Sequence, residues 1–167
     1  MAVRILDEWK SSVMSGQDSY SGCFALAKTL VDYGSSMDDP EVRTAIVRGL
    51  DNLIAYCEKG DRGKGYDLAL YCIEDGLPAQ FIRSDRVWID RIIDVMQRIT
   101  KIDMRLCYKL CEIYGKGAIM EADFEKSDYW WNEYETYYTG GNRWDCDPLL
   151  DYQRTQRAAW RFPDKSL

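Results

Sequence analysis

Three short apolar segments each close on a glycine, and the glycines stand 42 and then 41 residues apart. CFALAKTLVDYG ends at Gly34, LALYCIEDG at Gly76 and LCYKLCEIYGKG at Gly117. Three and seven residues before each glycine stand Val31 and Ala27, Ile73 and Ala69, and Tyr114 and Leu110. Those offsets place two apolar side chains on one face of a helix, with glycine at the C-terminal cap where positive φ is wanted. The regular interval favours a repeat, in which each unit buries its apolar face against its neighbours. The expected fold is therefore all-α, a short array of about three stacked helical hairpins.

A second, longer helical pattern follows each glycine. In the first unit Asp39-Pro40 supplies an N-cap and a proline at the first helical position. Val42, Ile46, Leu50, Leu53, Ile54 and Cys57 then mark one face, up to Gly60. In the second unit Ser84 or Asp85 caps a helix striped by Trp88, Ile89, Ile92, Ile93, Met96 and Ile99. In the third, Asp123 caps a helix on which Phe124, Ser127, Trp130, Trp131, Tyr134 and Tyr138 fall within about 120° of one another. The predicted hairpins span residues 20–58, 65–101 and 103–138 of a single domain, 1–167. Val3, Leu6, Trp9 and Val13 predict an N-terminal helix, and residues 147–160 a C-terminal helix that caps the stack, begun by Asp147-Pro148. No alternating strand pattern is present.

The third unit carries a more specific signal. Leu110, Tyr114 and Gly117 are followed by Asp123, nine residues after the tyrosine, and Trp130, seven after the aspartate. In residue type and spacing this stretch, about residues 106–138, resembles a Sel1-like repeat, a relative of the tetratricopeptide repeats. Ile119 stands where a second glycine is usual and Ser127 where an alanine is usual. The resemblance implies stacked helical hairpins, a core position for Trp130, and work as a scaffold or binding surface.

Composition narrows the chemistry. The chain has no histidine, which removes the commonest general base, the middle member of nucleophilic triads and the usual nitrogen ligand for zinc. Its six cysteines, Cys23, Cys57, Cys72, Cys107, Cys111 and Cys146, lie mostly inside apolar helical patterns and read as reduced, structural thiols. Cys107 and Cys111 lie one helical turn apart, but no CxxC pair exists, so neither a metal nor a cofactor is expected. GDRGKG, residues 60–65, lacks phosphate-loop spacing and reads as a turn. Arg83, Arg86 and Arg91 are offset by Asp85, Asp90 and Asp94, as on a solvated helix face. No apolar run approaches the roughly eighteen residues of a membrane helix, and the first residues lack the core of a secretory signal, so a cytoplasmic location is expected.

Charge is concentrated in one stretch. Between Glu121 and Asp147 stand eight acids against Lys126 and Arg143, a local excess equal to the net charge of −6 for the whole chain. The same stretch holds Phe124, Tyr129, Trp130, Trp131, Tyr134, Tyr137, Tyr138 and Trp144. Aromatic anchors among carboxylates suit a surface that engages a basic protein patch. Trp130, Tyr134 and Tyr138 lie on the inward stripe and read as core. Tyr129 projects nearly opposite that stripe, and Trp144 follows a Gly-Gly-Asn turn. The expected partner-binding residues are Glu125, Asp128, Tyr129, Glu133, Trp144 and Asp145, with no catalytic residue among them. The function expected is non-enzymatic binding of another, basic protein, as an adaptor or as an inhibitor of the immunity or anti-defence kind. Direct nucleic-acid binding is not expected from an acidic chain. Two alternatives stand beside this: an acidic nucleic-acid mimic, such as a phage-encoded inhibitor of a host defence complex, and an enzyme using carboxylates and tyrosines. The C-terminal RTQRAAWRFPDK is basic enough to dock on the acidic stretch of its own chain.

Overall fold

The computed structural model describes residues 2–15, 19–140 and 148–161. Every regular element among them is an α-helix: α1 (Ala2–Met14), α2 (Tyr20–Asp32), α3 (Pro40–Glu58), α4 (Arg62–Ile73), α5 (Leu77–Arg83), α6 (Arg86–Ile99), α7 (Arg105–Lys116), α8 (Phe124–Tyr138) and α9 (Pro148–Arg161). Short polar side chains start most of them. Asp39, Asp85 and Asp123 accept hydrogen bonds from the backbone N–H of Glu41, Val87 and Lys126, each at 3.0 Å, which satisfies donors that a helix start leaves open. Of the two candidates before α6, Asp85 is the cap, while Ser84 closes α5.

Two of the three recurring glycines end helices as the spacing predicts. Gly34 has φ +102° and Gly117 φ +63°. At Gly117 a Cβ would also lie 2.9 Å from the Met120 carbonyl, so the turn into α8 is closed to other residues. Gly76 is different. It is extended, at φ −146°, and serves as the N-cap of α5. The unpredicted α5, with Pro78 in its first turn, fills the stretch expected to be a loop, and α4 starts at Arg62 rather than near residue 65.

The packing follows from this insertion. α2 with α3 and α7 with α8 form two close antiparallel hairpins. The middle segment is a looser pairing: α4 lies mainly against α3 and α7, and α6 contacts α3, α4, α5 and α7. The main core runs from Val13 through Leu26, Ile46, Leu50, Phe81, Ile92 and Met96 to Leu110 and Ile119. A smaller cluster, Cys107, Cys111, Trp131, Tyr134 and Leu150, lies between α7, α8 and α9.

The orientation of α8 needs correction. Its buried face centres on Ser127, Trp131 and Tyr134. Trp131 is 5% exposed, whereas Trp130 is only partly buried and bridges the two clusters. Phe124 and Tyr138, expected in the stripe, are 37% and 43% exposed. α8 has fifteen residues against twelve in α7, so an antiparallel pairing leaves its last turn beyond the start of α7.

Candidate functional site

The outward side of α8 carries a row that alternates acid and aromatic: Glu125, Tyr129, Glu133 and Tyr137, each four residues after the last and all exposed. Four-residue steps form a gently inclined ridge, here about 18 Å long at 1.5 Å per residue. Tyr129 is 55% exposed, and its ring meets Trp130 edge to face at 5.0 Å, so the buried side of Trp130 steadies it. Glu125 and Glu133 enter no ion pair among the described residues. Tyr137 is the member that sequence reasoning missed, although its place four residues after Glu133 was available as a signal.

Asp128 belongs elsewhere. Its two carboxylate oxygens accept from Arg157 and Arg161 of α9. Glu135, on the same flank, accepts from Arg154 Nε at 3.2 Å. The Arg157 guanidinium lies 4.8 Å over the Trp131 ring and that of Arg161 5.4 Å over Phe124, both within cation–π range. The basic C-terminal segment thus docks on the acidic stretch of its own chain. Asp128, expected in the docking set, is spent on that contact. Trp144 and Asp145, like Cys146 and the cap Asp147, lie outside the described residues.

A buried charge cluster on α7 also escaped sequence reasoning. Glu112 accepts from Lys109 at 2.8 Å and from Lys116 at 2.5 Å. Lys109 and Glu112 are buried, and Lys116 lies 5.5 Å over the Trp160 ring. Burial alone would push the Glu112 carboxyl up, but the two ammonium groups outweigh it and hold it below the usual range. Spacing of i, i+3 and i+7 put all three on one face, which was the available signal.

The chemistry on offer is limited. Tyr20 donates to Asp67 at 2.9 Å and accepts from Lys64 at 2.9 Å. Lys64 also donates to Asp67 at 3.1 Å, and its bonds to Tyr20 first and Asp67 next raise the ammonium above its ordinary range, so it is no amine nucleophile near neutrality. Burial raises the thiols of Cys57, Cys72 and Cys107 to about 12 and raises Cys111 as well, so these are not ready thiolates. An open cleft of about 660 Å³ is lined by Glu121, Asp123, Glu125, Lys126, Arg83 and Arg86 among others. Within it Asp123 is occupied as a helix cap and pairs with Lys126 at 2.9 Å, and Arg83 donates to the Ala118 carbonyl. Among the described residues no group of three or more Cys, Asp or Glu is placed to hold a metal ion, and no helix is long and apolar enough to cross a membrane.

Comparison with family models, with curated proteins and with solved structures finds no match to the chain in any of the three. The five residues that carry the Sel1-like resemblance can still be placed. Leu110 and Tyr114 are buried, Gly117 is the left-handed cap of α7, Asp123 caps α8 and Trp130 packs between the two clusters.

Proposed function

We propose that this chain is a non-enzymatic protein-interaction module, built like Sel1-type helical hairpins, that presents the α8 ridge to a basic surface of another protein in an adaptor or inhibitor role. The observation that carries the reading is the exposed alternation of Glu125, Tyr129, Glu133 and Tyr137. Carboxylates at the rim steer an incoming basic partner, and tyrosines supply contact area with few rotamers to freeze. Mimicry of nucleic acid would need a longer row of open carboxylates, whereas Asp123, Asp128 and Glu135 are engaged by Lys126, by Arg157 with Arg161, and by Arg154.

The test begins with capture of the partner on the immobilised chain and its identification. Association and dissociation are then timed for two variants that keep the wild-type thermal midpoint. Glu125→Lys with Glu133→Lys should slow association several-fold, and the effect should shrink as salt screens charges beyond a Debye length of about 8 Å. Tyr129→Ala should leave association alone and speed dissociation roughly tenfold or more. Unchanged kinetics in both variants would remove the ridge from the interface.

A further inference from the structure

The inward side of α9 carries a pattern that its own chain already reads. Arg154, Arg157, Trp160 and Arg161 recur on successive turns of the helix, and each meets a fitted group. Arg154 pairs with Glu135, while Arg157 and Arg161 share Asp128. Trp160 seats against Gly115, where an added Cβ would come within 2.7 Å of its ring. The groove thus offers two carboxylates on one flank, an aromatic floor of Trp131 and Tyr134 near Tyr108, and a slot that only glycine leaves open.

The seat is loosely made for a permanent part of the fold. Only Leu150 and Gln153 of α9 are buried. Gln153 Oε1 and Arg157 Nε are buried without a hydrogen-bond partner, and no other described side chain has such an atom. Unmet polar atoms at a buried contact have given up water without a replacement partner, which works against the contact.

We propose that the α7–α8 groove is a docking site for a basic amphipathic helix of a partner protein, with arginines at i, i+3 and i+7 and an aromatic residue at i+6, and that α9 occupies it until displaced. This rests on the reading of the chain as a binder of a basic protein, and adds a covered groove to the exposed ridge. The specificity is legible from α9 itself: charge complementarity at Asp128 and Glu135, and a flat ring over Gly115. A tethered helix competes at an effective concentration in the millimolar range, so only a partner helix that fits better, or is locally abundant, exchanges for it.

The test uses the full chain and a fluorescent peptide of residues 148–161 followed by anisotropy. Weakening the hold of α9 with Trp160→Ala and Arg161→Ala should tighten apparent peptide affinity at least tenfold over wild type. Adding Asp128→Arg should abolish binding of that peptide. Tyr129→Ala and Glu133→Lys should not change it, which separates this groove from the ridge. A double variant with wild-type circular dichroism that fails to bind overturns the proposal, as does a dimer that exchanges α9 and excludes peptide. Should the double variant not fold, alkylation of the otherwise wild-type chain carrying Cys146→Ser decides. Cys107 and Cys111 lie beneath α9 and Cys72 in the main core. Labelling of the first two at least tenfold faster than Cys72 shows that α9 lifts by itself, and equal rates overturn the proposal.

Discussion

Gly115→Ala sets two opposed effects against each other at the place where α9 meets α7. Alanine in a helix interior is favoured over glycine by about 0.5–1 kcal/mol, so an open position would gain stability. Here the new methyl would stand 2.7 Å from Trp160 Cε3 and 2.9 Å from Ser127 Oγ, both well inside ordinary contact. Ser127 cannot yield cheaply, because it is buried and donates to the Cys111 carbonyl at 2.9 Å. The strain must pass to Trp160 and hence to α9, and overpacking of this kind costs about 1–3 kcal/mol. The clash should win, with a net loss of about 1 kcal/mol in urea denaturation at unchanged m-value. Trp160→Ala in the Gly115→Ala background should then cost at least about 1 kcal/mol less than in wild type, the signature of a shared contact. A gain of stability for Gly115→Ala, with no coupling to Trp160, would refute the seating of that ring and the role of the glycine as its slot.

Other expectations are simpler. Trp131→Ala should cost about 3–5 kcal/mol and Tyr129→Ala well under about 1 kcal/mol by chemical denaturation, since the first ring is core and the second is surface. The Glu112 carboxyl is held below its ordinary value of 4.5 in the folded chain, so it contributes stability that is full above that pH and lost as pH falls through the lower folded value. Glu112→Gln should therefore lower stability at neutral pH and flatten the acid limb of a stability–pH profile below about 4.5. Asp123→Ala should cost about 1 kcal/mol through loss of the α8 cap, measured in the same way.

Much of the helical layout was legible because its signals are local. Asp39-Pro40, Asp85 and Asp123 announce helix starts through the hydrogen bonds that their own side chains make, whatever the rest of the chain does. α5 was not legible: LPAQFIR is seven residues, too short for a period to show, and the Gly76 before it imitates the end of a helix. Choosing between Trp130 and Trp131 required more than periodicity, since neighbours on a helix differ by about 100° and both fit a broad stripe. What settles the face is the position of α9, a tertiary fact. The same holds for the candidate site. Tyr129 projects outward from α8 by helical geometry alone, but the loss of Asp128 to Arg157 and Arg161 depends on a helix twenty residues further on. The burial of Lys109 and Glu112 is likewise tertiary: Tyr66 of α4 lies under the Lys109 ammonium, and Trp160 of α9 lies under that of Lys116.

The seven residues of α5 also decide what kind of object the array is. In a true repeat stack each unit touches only its neighbours, so units can be added or removed and stability grows by steps. With α5 in the middle segment, α4 meets α6 only lightly and lies mainly against α3 and α7. A cut between residues 60 and 105 severs contacts that α4, α5 or α6 makes with α3 or α7. Among the described residues the middle segment of the array thus works as a bridge that both end hairpins lean on, so a substitution in α4 or α6 is felt at the ridge and groove of the last hairpin as well as at α3.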